Sequence, residues 1–214
     1  MLDFHTHRPH PDSIFNLPSG KAVLSAYSEF KYISAGIHPW NTEAATIEDY
    51  KALGELAKDD RIVAIGECGI DKLRGAELDK QKAVFIAHVA LSEQLHKPLI
   101  IHCVKAYQEI LALKRDLTPA QTWVIHGFRG NGILAKQLLD KDIRLSFGEK
   151  FNPDALKAVG AENLLIETDD SETPIEEIAA NIASHFEDYS PEQIMEIATA
   201  NALAVIKKQD TEYM

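Results

Sequence analysis

Residues 62–102 read IVAIGECGIDKLRGAELDKQKAVFIAHVALSEQLHKPLIIH, a strand, a helix and a second strand in succession. The two ends, 62–66 and 99–102, are apolar and rich in β-branched residues, as in strands buried on both faces. Between them, 79–96 places Val84, Ala87, Leu91 and Leu95 on one helical stripe, and Pro98 stops the helix just before the next strand. Strands joined by a crossover helix of this length lie parallel. Each strand also runs into a residue that binds protons or metals, Glu67 after the first and His102 at the end of the second.

The same pattern extends in both directions. Further strands are predicted at 2–5, 22–26, 32–37, 123–126, 143–147 and 164–167, which makes eight. Ile175, Ile178, Ala179, Ile182, Ala183 and Phe186 keep helical spacing, and Ser190-Pro191-Glu192-Gln193 is a capping box with proline in the first turn. The expected architecture is α/β, a distorted TIM-type (β/α) barrel formed by a single domain over 1–214. The front departs from the ideal. About fifteen residues, including Pro9, Pro11, Pro18 and Gly20, join the first two predicted strands, and about five join the second to the third. A parallel connection needs roughly 10 to 12 residues or more. The first crossover helices are therefore expected to be missing, with the first three strands joined irregularly or one of them placed elsewhere.

Hydrophobic residues make up 45% of the chain and charged residues 26%, an ordinary globular composition. The amino terminus has no export-signal pattern and no apolar run is long enough to span a membrane. Two cysteines, Cys68 and Cys103, are too few for a disulfide framework, so a reducing cytoplasm is the expected location. With 22 basic against 33 acidic residues, the net charge of -11 repels a polyanion at long range and disfavours bulk coating of nucleic acid. Divalent cations in a cleft invert that field locally and leave phosphodiester chemistry open.

Metal-ligating residue types stand at the carboxyl ends of successive predicted strands, the rim on which β/α barrels build their sites. They are His5 and His7, then Glu67, His102, His126 and Asp169. His5 and His7 are two apart in extended chain, so both rings reach the same side. Alone, a His-x-His pair is equally two solvated or hydrogen-bonded histidines; here it has company. Glu67 is costly to bury unpaired at the end of an apolar strand, the alternatives to ligation being a salt bridge or a hydrogen-bonded turn. Four histidines and two carboxylates suit one or two divalent ions such as Zn, Mn, Fe or Mg, a set matched to hydrolysis. His38 and the rim-loop cations Lys72, Arg74, Lys105 and Arg129 are candidate substrate contacts. A loop-stabilising histidine and ordinary solvated charges are the other readings. Asn201, interrupting the buried stripe of the last helix, reads as a hydrogen-bonded structural residue.

Together these segments resemble the TatD-type metal-dependent deoxyribonucleases, within the amidohydrolase-like barrel superfamily. The resemblance covers nearly the whole chain. It rests on His5-Thr6-His7, Gly36-Ile37-His38-Pro39, Ile65-Gly66-Glu67-Cys68-Gly69-Ile70-Asp71, Gln81 with Phe85, Ile100-Ile101-His102, His126-Gly127-Phe128-Arg129-Gly130 and Glu167-Thr168-Asp169. It implies that His5, His7, Glu67 and Asp169 surround one ion while Glu67, His102 and His126 hold a second. Glu67 and Asp169 are then the expected catalytic pair, Asp169 orienting or deprotonating the attacking water. The implied reaction is hydrolysis of DNA phosphodiesters, often from the 3′ end, with DNA or another phosphodiester as a transient partner. The chain departs from the family's usual pattern at Arg8-Pro9-His10-Pro11, at Cys103-Val104-Lys105 and at Asp170-Ser171-Glu172. These loops and the acidic charge leave open a hydrolase of a small amide, lactone or phosphate ester, and the shortened front leaves open a non-catalytic, metal-stabilised binding module.

Overall fold

The computed structural model describes residues 1–18 and 24–207. Among them, β1 (Asp3–Thr6), β2 (Ser13–Asn16), β3 (Tyr32–Ala35), β4 (Ile62–Asp71), β5 (Leu99–Val104), β6 (Trp123–Ile125), β7 (Ile143–Phe147) and β8 (Leu165–Ile166) pair in chain order. Every pairing from β1 to β8 is parallel. The barrel closes just beyond the ends of β8 and β1, where His7 N donates to Asp169 O at 3.1 Å and Asp169 N donates to His5 O at 3.0 Å. The expected distorted TIM-type barrel is the fold observed.

Side-chain alternation sorts the core into two layers. Phe4, Ile14, Ala64, Ile100, Val124 and Leu165 fill the barrel's interior. Their neighbours Phe15, Ile33, Ile65, Leu99, Ile101, Trp123 and Ile125 face the surrounding helices. Those helices are α1 (Ile47–Leu56), α2 (Leu78–Leu95), α3 (Tyr107–Leu117), α4 (Gly132–Leu139), α5 (Pro153–Val159), α6 (Ile175–Ala183) and α7 (Pro191–Ile206). The capping box expected at Ser190 is present, with Gln193 as its partner. Ala202, Val205 and Ile206 of α7 join the interior layer beside Leu2, and Leu2 N donates to Thr199 Oγ1 at 3.1 Å. The last turns of α7 thus cover the barrel end opposite the ligand-bearing rim. Asn201 donates to Glu162 O and Leu164 O, both at 2.9 Å, the structural role its position suggested.

The front needs one correction. The second strand is Ser13–Asn16, not 22–26: Leu24–Tyr27 is a short 3-10 turn, and Ala22 and Val23 lie outside the described residues. Residues 7–12 join β1 to β2 and 17–31 join β2 to β3, and neither connection contains an α-helix among its described residues. Among the described residues the first two crossovers thus carry no α-helix, with the short gap and the long gap exchanged. α1, which precedes β4, was not anticipated; a capping box between Thr46 and Asp49 starts it.

α2 carries a buried histidine beneath the third strand. His88 Nε2 accepts from Ile37 N at 2.9 Å, and its Nδ1–H donates to Val84 O at 2.8 Å, which fixes the chain leading into His38. Burial pushes His88 down to about 4, against roughly 6.5 in an unfolded chain. Between those values only the unfolded state takes up the proton. The stability contributed by neutral His88 is complete above about pH 6.5 and is lost as pH falls towards 4. Urea unfolding at pH 7 and pH 5 should therefore show a smaller acid loss in His88→Gln than in the parent, by about 2 kcal/mol. An identical loss in both proteins would remove His88 from the account.

Candidate metal centre

A register shift in β4 makes the centre. Ala64 faces the barrel interior, so strict alternation would send Glu67 to the helix side; pairing with β5 slips between Ile65 and Cys68 and reverses the faces. Cys68 and Ile70 then pack against the helices, and Glu67 and Asp71 turn inward. Gly66 and Gly69 bracket the slip with φ of 149° and 144°, and a Cβ on either would collide with a β5 carbonyl, of Ile100 or His102. On β5 and β6 the alternation is regular. His102 follows Ile100, and His126 follows Val124, into the interior.

Glu67 is the meeting point of five histidines. Its Oε1 lies 3.1 Å from His38 Nε2, 2.6 Å from His102 Nδ1 and 2.7 Å from His126 Nε2. Its Oε2 lies 3.1 Å from His7 Nε2 and 3.6 Å from His5 Nε2. Asp169 Oδ1 completes the ring at 3.6 Å from His7 Nε2 and 3.9 Å from His5 Nε2. All six expected ligands therefore converge. The donor atoms fall into overlapping groups whose members lie within 4.8 Å of one another: His5, His7 and Glu67; His5, His126 and Asp169; and His38, Glu67 and His102. His126 thus groups with His5 and Asp169 and also lies 2.7 Å from Glu67, and His38, a candidate substrate contact, stands beside Glu67 and His102.

Polar groups outside the cluster hold the candidate ligands in place. Asn16 Oδ1 accepts from Glu67 N at 2.8 Å and from Ser34 Oγ at 3.1 Å. Asp71 Oδ2 lies 3.4 Å from His102 Nε2 and accepts from Trp40 Nε1 at 2.6 Å. Glu167 Oε1 lies 3.3 Å from His126 Nδ1, and its other oxygen accepts from Ser146 Oγ. Asp3 accepts from Thr168 N at 3.0 Å and Thr168 Oγ1 at 2.6 Å, which anchors the turn carrying Asp169. Gln81 clamps the loop after β4 through its side chain, accepting from Asp71 N and donating to Asp71 O, Arg74 O and Ala76 O. Carboxylates behind ligating imidazoles fix tautomer and ring orientation in metal sites. Of these, Asp71 and Glu167 were visible in the quoted motifs as further acids near strand ends; Asn16 and Asp3 were not singled out.

The electrostatics follow from this packing. Burial opposes ionisation of Glu67, yet His126, His102 and His38 outweigh it and hold the carboxyl well below its usual range. Burial likewise lowers His126, but Glu67 and Glu167 prevail and raise it well above the ordinary value. Asp169, further from compensating hydrogen bonds, is raised chiefly by burial. His5 is fully buried, and neither of its ring nitrogens has a hydrogen-bond partner among the described residues. Two buried nitrogens without a hydrogen-bond partner are costly unless something ligates them. These nitrogens, within a nitrogen-and-oxygen donor set of both neutral and anionic groups, fit a divalent cation.

The predicted substrate cations are differently placed. Lys72 is ion-paired to Glu109 of α3 at 2.5 Å, and the Arg74 guanidinium lies 3.8 Å from the centre of the Trp40 ring. Lys105 and Arg129 are exposed on the loops after β5 and β6, without an ion-pair partner among the described residues.

Against known families, residues 13–207 match the model of the TatD related DNases. The chain belongs to this family. His5 and His7 lie ahead of the matched span, and the geometry places both beside Glu67. Among curated relatives, an "Uncharacterized metal-dependent hydrolase YabD" of Bacillus subtilis is 31% identical over 166 residues, covering 72% of this chain and 65% of that protein. A "3'-5' ssDNA/RNA exonuclease TatD" of Klebsiella pneumoniae is 30% identical over 167 residues, covering 72% and 63%. The match thus spans just under two thirds of each of these relatives. Two solved structures share the fold, each at a TM-score of 0.75 and 19% identity. YjjV, a TatD homologue from Escherichia coli, covers 86% of this chain and 79% of its own; a TatD family hydrolase from Entamoeba histolytica covers 92% and 85%.

Proposed function

We propose that this chain is a metal-dependent phosphodiesterase of the TatD type that removes nucleotides from the 3′ end of DNA, acting as a single barrel domain. The observation that carries the reading is the convergence of His5, His7, His38, His102 and His126 on Glu67, with Asp169 beside them. One or two divalent ions, of the Zn, Mg or Mn kind, would be held by these residues, with Glu67 reaching both donor groups through its two oxygens. When bound, they would supply charge neutralisation of the phosphate and an acidified water.

The side chains then have separate tasks. Asp169, partly exposed and raised by its burial, takes a proton from the attacking water. The water oxygen bonds to phosphorus as the bond to the leaving sugar oxygen breaks. Asp71 and Glu167 keep His102 and His126 facing Glu67. Lys105 and Arg129 meet the phosphate backbone at the rim, and Lys72 and Arg74, on the loop after β4, add positive charge at a neighbouring edge. Two free, buried cysteines, Cys68 and Cys103, accord with a reducing cytoplasm. No helix among the described residues is long and apolar enough to cross a membrane.

The reading is tested with a 5′-labelled single-stranded oligonucleotide in Mn²⁺ or Mg²⁺. Stepwise release of mononucleotides, stopped by chelation and restored by the metal, is the expected result. Hydrolysis of small esters, lactones or amides without any cleavage of the oligonucleotide would replace the nuclease reading.

A further inference from the structure

The short 3-10 turn Pro39–Asn41 after β3 places a large aromatic ring where burial does not explain it. Trp40 is 43% exposed, yet its ring centre lies 4.7 Å from that of His38 and 5.9 Å from that of His102, two of the imidazoles facing Glu67. The ring is also braced. Its Nε1 donates to Asp71 Oδ2 at 2.6 Å, the edge of the stack is set by His38, and the Arg74 guanidinium lies on it at 3.8 Å. Arg74 is itself exposed, and the loop that carries it is clamped at its backbone carbonyl by Gln81. An indole and a flat cation, fixed in a stack at the mouth of a candidate phosphate-cleaving centre, present what an unpaired nucleobase requires: a π face with a positive charge beside it.

We propose that Trp40 and Arg74 form a stacking platform for the nucleobase adjoining the scissile phosphate, a specificity element that rests on the phosphodiesterase reading. The base joins the indole–guanidinium stack while its phosphate lies over the histidine cluster. A purine, with the larger face, is held better than a pyrimidine. A phosphodiester without a base gains nothing from the platform. Stacking of one base on an aromatic side chain corresponds to about a five- to hundredfold gain in affinity.

Two measurements decide it. In the unmodified protein with Mg²⁺ present, dAMP should quench the exposed Trp40 emission, deoxyribose 5-phosphate should not, and Trp123, fully buried, should contribute a constant background. Equal or absent quenching by the two compounds would overturn the platform. In the second, the ratio of kcat/KM for p-nitrophenyl thymidine 5′-phosphate over methyl p-nitrophenyl phosphate should fall about tenfold in Trp40→Ala and stay near the parent value in Trp40→Phe. Equal losses on both substrates, in both variants, would mean that Trp40 only positions Asp71 and His102, and the proposal fails. Quenching by dAMP in a protein that cleaves no phosphodiester would leave the platform standing and remove the nuclease reading instead.

Discussion

Replacing Glu67 with glutamine should lower kcat/KM on a phosphodiester by about a thousandfold or more, equivalent to roughly 4 kcal/mol of lost transition-state stabilisation. Glutamine keeps the volume and one carbonyl oxygen, but it turns an NH₂ group towards one of the two sets of imidazoles. Glu67 Oε1 faces three of them and Oε2 faces the other two, so neither orientation of the amide satisfies the cluster. The charge is lost as well. It is the carboxylate through which the two donor groups share a side chain, so metal content measured after dialysis should fall together with activity. Activity within tenfold of the parent, in a variant with an unaltered circular dichroism spectrum, would take Glu67 out of the centre.

The second large effect is on stability and turns on His5. Addition of Mn²⁺ or Zn²⁺ to metal-free protein should raise the melting temperature. At a hundred times the dissociation constant the stabilisation is about 2.7 kcal/mol, or roughly 5 to 10 °C for a domain of this size. The effect should be largely abolished in His5→Leu. The same variant, without metal, should melt no lower than the parent, because the substitution removes two buried nitrogens that have no hydrogen-bond partner among the described residues. The opposite signs in the presence and absence of metal distinguish a ligand from a core residue. A metal-free His5→Leu protein destabilised by several kcal/mol, with the metal response intact, would assign His5 to packing alone.

Much of this centre is legible in the sequence because β4, β5 and β6 are apolar runs that lead into charged or imidazole side chains. A polar residue following such a run stands on a barrel rim, and its neighbours on adjacent strands stand there too. β2 was hidden for a related reason. Ile14 faces the interior, Phe15 faces the helices, and the flanking Ser13 and Asn16 are polar but buried, so no alternation survives to be read. The polarity that hides the strand is functional, since Asn16 is committed to the Glu67 amide. α1 buries little more than Leu53 and so lacks a strong stripe, although Thr46 and Asp49 form the capping box that would have located it. His38 was recognised as a rim residue but not as a neighbour of Glu67 and His102. That depends on how far β3 and β4 slide past each other, and the irregular register between them is not written in either strand.

The closure of the barrel has a consequence for how the molecule comes into being. The seam is made by the main chain of His5, His7 and Asp169 themselves, groups separated by about three quarters of the chain. A ribosome releasing this protein from its amino terminus exposes the first two donors early and the last one late. Until residue 169 has emerged and docked, the nascent chain has neither a closed barrel nor a complete set of donors. An enzyme of the proposed kind would therefore have no complete centre until the segment carrying Asp169 has docked beside β1.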